Sequence, residues 1–82
     1  MNVYKFRMPA DNYEDIYIAI SVTPQELQKL LREFHEAEKY TPGLRLFDWL
    51  SVRRVYASTV GEPRHTTAII DFETGDIIAL AR

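Results

Sequence analysis

Hydrophobic and polar residues alternate near both ends of the chain, and this spacing is typical of half-buried strands. Residues 2–8 and 14–22 alternate and predict an N-terminal hairpin, with its turn at residues 9–12. Residues 66–72 and 77–82 are rich in β-branched side chains and flank a short glycine-containing segment, which predicts a second hairpin. Each run of the second hairpin contains a pair of isoleucines. Adjacent strand residues point to opposite faces, so this hairpin is expected to be apolar on both sides.

A helical spacing follows the first hairpin. Apolar residues recur every three or four positions from Leu27 onward, which predicts one amphipathic helix with a single apolar stripe. Thr23 and Glu26 have the spacing of a capping box, so the helix is expected to begin there. Pro42 and Gly43 are expected to end it. A helix with one apolar stripe covers one face of a sheet.

Residues 44–60 fit two interpretations. The predicted arrangement is a short helix over 44–50 and a strand over 52–59, because the second half is rich in residues that favour strands. A single helix over 44–55 is the alternative. The complete order predicts one α+β domain, residues 1–82, with a small antiparallel sheet of four to five strands in the order ββα(α)βββ. The main helix is expected to pack on one face of that sheet.

The pairing of the second hairpin sets the face on which each of its side chains lies. A turn at Glu73-Thr74-Gly75 places Ile70 opposite Ile78 on the face toward the main helix. Ile69 and Ile77 then lie on the opposite face, for which the sequence offers no second long helix. The hairpin therefore predicts a modest, mixed apolar patch on the far side of the sheet.

An apolar patch on a small protein is commonly a binding surface. The leading hypothesis is therefore a non-enzymatic protein–protein interaction module that forms a homodimer through this second face or through an edge strand. The alternative is that the short helix, or the loop around Trp49, folds over the patch. The predicted partner interface consists of Tyr17, Ala19, Arg54, Tyr56, Ile69, Ile77 and Ala79.

Two further hypotheses rest on charge. A small inhibitor or accessory protein would dock on a larger protein or nucleoprotein complex through an acidic helix face. The acidic residues of that face are Glu33, Glu36 and Glu38. A weak nucleic-acid binder would combine arginines with a neighbouring aromatic side chain. The arginines of that hypothesis are Arg45, Arg53, Arg54 and Arg64. Arg64 with His65 is also a candidate contact for a small anion.

Composition argues against several classes of function. The 82-residue chain has no cysteine, which excludes disulfides, thiol catalysis and cysteine metal sites. Its net charge of -2 disfavours general binding to nucleic acid or to a membrane surface. No apolar run reaches the ~20 residues of a membrane span. The sequence also lacks nucleophile and phosphate-binding motifs, so we expect no enzymatic activity, no cofactor, no metal and a cytoplasmic location.

The remaining titratable residues are interpreted structurally. His35 is expected on the solvent-exposed side of the main helix, because it follows the apolar stripe by one position. Asp71, Glu73 and Asp76 form an acidic turn without the spacing of a calcium loop. We expect these carboxylates to serve the turn and solubility.

Overall fold

The computed structural model describes residues 1–9 and 14–81. Its elements are β1 (Asn2–Arg7), β2 (Ile16–Ile20), α1 (Pro24–Glu38), α2 (Leu46–Val52), β3 (Ala57–Val60), β4 (Ala68–Asp71) and β5 (Ile77–Leu80). The predicted α+β class and the order ββα(α)βββ are confirmed. The predicted turn at residues 9–12 lies almost entirely outside the described residues.

The strands form one five-stranded sheet in the order β3-β2-β1-β4-β5. Three of the four neighbouring pairs are antiparallel, whereas β1 and β4 are parallel. The sheet is therefore mixed, and the prediction of a purely antiparallel sheet was too narrow. The reason is topological, because β4 does not pair with the strand that precedes it in sequence but with the first strand of the chain.

Both helices pack on one face of the sheet, which we call the core face. The sheet contributes Tyr4, Phe6, Ile18, Ile20, Ala68 and Ile70 to this core, and the helices contribute Leu27, Leu31, Phe34, Trp49 and Leu50. The Trp49 ring is 5% exposed and packs edge-on against Phe34, with 5.8 Å between the ring centroids. The loop around Trp49 therefore does not fold over the opposite face, and that alternative is wrong.

The helix α1 begins as its sequence predicts. The Glu26 amide donates to Thr23 Oγ1 at 3.2 Å, and the Thr23 amide donates to Glu26 Oε2 at 3.4 Å, which completes the capping box. The apolar stripe of Leu27, Leu31 and Phe34 faces the sheet. The local sequence was therefore sufficient to predict where α1 begins and which of its faces is buried.

The chain leaves α2 through a left-handed residue. Arg54 has φ +60°, which ends the helical backbone and excludes the alternative of one helix over 44–55. The Arg53 amide donates to the Leu50 carbonyl at 3.0 Å, and the Arg54 amide donates to the Ser51 carbonyl at 2.9 Å. The strand predicted over 52–59 is accordingly shorter, since β3 begins only at Ala57.

The register of the last hairpin differs from the prediction. The turn begins one residue earlier than expected, because the Asp71 amide donates to the Asp76 carbonyl at 2.9 Å. A register shift follows, and Ile70 lies opposite Ile77 rather than Ile78. Ile77 therefore packs against the core, and its assignment to the second face was wrong. A single extra residue in one strand is enough to move Ile77 from the predicted face to the core face.

Candidate interaction surface

The face opposite the helices, the second face, carries a mixed set of side chains. Its members on the inner strands and β5 are Val3, Lys5, Tyr17, Ala19, Ile69 and Ala79. Both helices lie on the core face, so within residues 1–9 and 14–81 only a connection between strands can cross this second face. Such a connection exists between β3 and β4.

The segment 61–67 crosses part of the second face. The strand β3 ends beside Tyr17, whereas β4 begins beside Tyr4, nearer the start of β1. Because β3 and β4 both run in the direction of β1, the segment must return along the sheet and pass over β2 and β1. The Tyr17 hydroxyl donates to Glu62 Oε1 at 3.3 Å, which places the segment on the second face.

The predicted interface residues on β2 contribute little free surface. Ala19 is 7% exposed, and Tyr17 is half-buried and hydrogen-bonded to the crossing segment. Ile69 and Ala79 lie beyond that segment, on β4 and β5. The open part of the second face is therefore the strip beside the β5 edge.

The seven predicted interface residues do not form one surface. Ile77 lies in the core, and Arg54 and Tyr56 lie on the connection before β3. The strands β3 and β5 are the opposite edges of the sheet, separated by roughly 19 Å at ordinary strand spacing. The structure therefore divides the predicted interface into two candidate surfaces, one at each edge.

The sequence suggests the final strand as an edge available for strand addition, and β5 does form one edge of the sheet. Ile78 and Leu80 are 39% and 53% exposed, and the strand contains no charged residue. The Ala81 amide donates inward to the Thr67 carbonyl at 2.9 Å, so strand alternation turns the backbone groups of Leu80 outward. Natural edge strands are usually protected by charges, proline or a covering element. Within the described residues β5 has no charge, proline or covering element, and its protection is limited to its short length and its bulge at residue 78.

The proposed anion contact is not assembled into a pocket. Arg64 and His65 are both exposed on the crossing segment. His65 lines an open groove of about 470 Å³ at the end of the sheet, whereas Arg64 does not line it. The other residues of the groove are Met1, Val3, Pro24, Thr66, Thr67, Leu80 and Ala81. This lining offers no second basic side chain for an anion.

His35 is not a solvated surface residue, contrary to the prediction. It is half-buried between α1 and the β4–β5 turn. Its Nδ1 lies 2.7 Å from Glu38 Oε1, and its Nε2 is within hydrogen-bonding distance of the Phe72 carbonyl oxygen. The imidazole also packs edge-on against the Phe72 ring, with 5.3 Å between centroids. Its role is to hold the turn against the helix.

Tyr4 is the titratable group most deeply buried in the core. Its hydroxyl donates to the Val22 carbonyl and accepts from Asn2 Nδ2 at 3.4 Å. Burial raises the pKa of Tyr4 above its usual value, because the charged phenolate would lose its hydration. These contacts are structural, since the hydroxyl is satisfied inside the protein. No group of three or more histidine and carboxylate residues that could hold a metal occurs within the described ranges.

The chain matches no protein-family model, and no curated protein or solved structure is significantly similar to it. None of the helices in the described residues has the length and apolar character needed to cross a membrane. Inferences about function therefore depend on the two sheet edges and their surroundings.

Proposed function

We propose that this protein is a non-enzymatic interaction module that forms a homodimer by pairing β5 with β5 of a second copy. The observation that carries the proposal is the apolar, uncharged and unpaired edge of β5. A second copy offers the same edge, so a two-fold antiparallel pairing satisfies both copies at once. The lack of cysteine fits a cytoplasmic location for such a module.

The side chains of β5 are complementary to themselves in this pairing. An antiparallel copy centred on Ala79 places Leu80 opposite Ile78 of the second copy. Both side chains are partly exposed, so covering them removes apolar surface from water and stabilises the dimer by about 1 kcal/mol per side chain. Backbone hydrogen bonds between the two strands add to this term. Such a small interface predicts micromolar rather than nanomolar dissociation.

The structure favours the edge over the second face as the dimer surface. The segment 61–67 crosses β2 and β1, and Ala19 is already buried. Only the strip containing Ile69 and Ala79 is open there, and it is continuous with the β5 edge. These observations support strand addition at the β5 edge as the main dimer contact. The strip containing Ile69 and Ala79 would add only a minor contribution.

Two of the three glutamates of the acidic face proposed for an inhibitor or accessory protein already have partners within the molecule. Lys39 Nζ lies 3.0 Å from Glu36 Oε2, and His35 Nδ1 lies 2.7 Å from Glu38 Oε1. Only Glu33 of the three glutamates lacks a basic partner in the described residues. This arrangement makes docking through acidic charge the weaker candidate.

The dimer is tested by sedimentation equilibrium across a dilution series from low to high micromolar concentration. We expect the wild-type mass to rise from monomer to dimer, and Leu80→Lys to remain monomeric because the charge blocks the edge. Val60→Lys is the matched control, since Val60 is also an exposed apolar residue but lies on the opposite edge. Circular dichroism establishes that both variants are folded.

Three outcomes contradict the β5 homodimer. A wild-type protein that stays monomeric at high micromolar concentration removes it. A dimer that persists in Leu80→Lys but dissociates in Ile69→Lys assigns the contact to the second face. Open-ended polymers that dissociate in Val60→Lys indicate head-to-tail pairing of β5 with β3, which does not close on itself.

A further inference from the structure

The opposite edge of the sheet begins with basic side chains that have no acidic partner. Arg54 is exposed, and its guanidinium makes no ion pair or hydrogen bond with any described residue. Arg53 stacks on the Trp49 ring at 3.6 Å and donates to the Trp49 carbonyl at 3.3 Å. That stack fixes the position of the Arg53 guanidinium on α2, one residue before Arg54 in the sequence. Elsewhere in the molecule, Arg32 is neutralised by Asp76 at 2.8 Å.

Arg54 has a backbone conformation that disfavours its side chain. Its φ of +60° lies in the left-handed region, where any residue with a Cβ is less stable than glycine. The Arg54 amide donates to the Ser51 carbonyl and the Val55 amide donates to the Leu50 carbonyl, both at 2.9 Å, so Arg54 is the left-handed residue of the cap that ends α2. The same turn presents Tyr56, which is 72% exposed, at the beginning of β3. A free arginine and an exposed tyrosine therefore lie together at the beginning of an edge strand.

The strand β3 has an unpaired backbone edge. Its neighbour is β2 on one side, and no described strand pairs on the other. Ser58 and Val60 point their backbone groups toward β2, so strand alternation turns those of Thr59 outward. Unlike β5, the strand β3 contains hydroxyl side chains. In the sequence, Arg54 precedes this strand and Glu62 follows it. Glu62 lies on the second face, where it accepts from the Tyr17 hydroxyl at 3.3 Å, so the exposed charge before this edge strand is positive.

We propose that β3 binds an extended segment of another protein, which adds as a sixth strand and places acidic residues beside Arg53 and Arg54. Backbone pairing with the Thr59 edge would supply affinity, and the carboxylates would contact the guanidinium groups. This partner and this edge are distinct from the homodimer proposed for β5.

An acidic peptide fits this surface better than a single-stranded nucleic acid. A nucleic acid needs basic side chains along its backbone and several stacking platforms. Here Arg64 lies on the segment that crosses the second face, and the face of the Arg53 guanidinium is occupied by Trp49. The net charge of -2 also opposes a polyanion. One short acidic segment requires only the two exposed arginines, Arg53 and Arg54.

Fluorescence anisotropy with a labelled peptide tests the proposal. The probe is Asp-Glu-Val-Thr-Val-Thr-Val, and its matched control has two lysines in place of the acidic residues. We expect binding of the acidic peptide only, weakened by salt and reduced about tenfold in Arg54→Gly. Glycine accepts the left-handed backbone, so this variant removes the charge without endangering the fold. Thr59→Pro removes an outward amide at an edge that tolerates proline, and we expect a further loss of about fivefold or more.

The outcomes distinguish the two parts of the proposal. No binding of the acidic peptide, or equal binding of the lysine control, overturns it. Wild-type affinity in Arg54→Gly removes the arginine contact, and wild-type affinity in Thr59→Pro removes strand addition. A labelled oligothymidylate that binds more tightly than the peptide, and loses affinity in Arg54→Gly, assigns the edge to nucleic acid instead. None of these results depends on Leu80, so the β5 homodimer is tested separately.

Discussion

Gly75 lies in the turn of the last hairpin and packs closely against α1. Both its backbone conformation and this close approach favour glycine. Its φ is +77°, which favours glycine in the turn. A Cβ added to Gly75 would also lie 3.3 Å from Arg32 Cγ and 3.4 Å from the Gln28 carbonyl oxygen. The sequence predicts a glycine-containing turn here. It does not predict that the turn approaches the helix this closely.

Substituting Gly75 with alanine tests the close approach, and Gly43 supplies a matched control. Gly43 also has a positive φ, +83°, but an added Cβ would meet nothing within 4 Å. We expect Gly43→Ala to lower the free energy of unfolding by about 1 kcal/mol through backbone strain alone. Gly75→Ala should cost about 1 kcal/mol more, because the helix must yield to the new methyl group. Urea denaturation measures both, and equal losses would show that the Arg32 side chain moves aside without cost.

At the scale of elements, α1 and the β4–β5 turn are joined by two contacts of different strength. Arg32 and Asp76 form an ion pair at 2.8 Å, but both side chains are 58% exposed. His35 contacts the Phe72 carbonyl oxygen and lies half-buried. Exposed ion pairs contribute little because water and salt screen them. The histidine contact is therefore expected to dominate the docking of the turn.

Two substitutions separate these contacts. We expect Asp76→Asn to lower the free energy of unfolding by at most about 0.5 kcal/mol, since the ion pair is solvated. His35→Leu should lower it by about 1–2 kcal/mol, because it removes both ring hydrogen bonds and leaves the Phe72 carbonyl without this donor. Thermal and urea unfolding measure the two losses. A larger effect of Asp76→Asn would reverse the order of the two contacts.

The same element scale shows why His35 was misplaced from sequence. Its position on α1, one residue after Phe34, indicates only that it lies at the border of the apolar stripe. Whether His35 is buried depends on the residue that packs against it. That residue is Phe72 in the β4–β5 turn, 37 residues later in the chain. The turn itself was anticipated, and Asp71 supports it by accepting from the Glu73 and Thr74 amides at 2.9 Å and 3.1 Å. The contact of this turn with His35 on α1 was not anticipated.

For the whole molecule, strand order decides which surfaces are free. The strand β1 lies at the centre and pairs on both sides, whereas β3 and β5 each pair on one side only within the described residues. The segment 61–67 covers part of the second face, so the open surfaces lie at the two edge strands, β3 and β5. Both functional proposals follow from this arrangement rather than from any single motif.

Amide hydrogen exchange followed by NMR tests the arrangement of the whole sheet. We expect slow exchange in β1, β2 and β4, since each lies between two neighbouring strands, and faster exchange in β3 and β5. The Leu80 amide points outward and should exchange rapidly in dilute protein. It should become protected as the protein concentration rises, if two copies pair through β5. Protection of Leu80 that is independent of concentration would place an intramolecular partner on that edge.

The sequence by itself determined the local elements of this protein. The capping box, the helical stripe, the two hairpins and the α+β order follow from spacings of a few residues, because neighbours in sequence fix backbone geometry. Two parts of the candidate sites were also recognised, namely the Arg54 and Tyr56 pair and the apolar final strand. Their assignment to a single surface was wrong, since the sheet separates them to opposite edges.

Only the tertiary structure decided the strand order, the parallel pairing of β1 with β4, the path of segment 61–67 and the face on which Ile77 lies. These features depend on contacts between residues far apart in the chain, for which local spacing carries no information. A one-residue bulge reverses the face of a side chain without changing the hydrophobic pattern. For that physical reason the sequence predicted the apolar strand β5 and suggested it as an edge, whereas only the strand order established that β5 lies at the edge of the sheet.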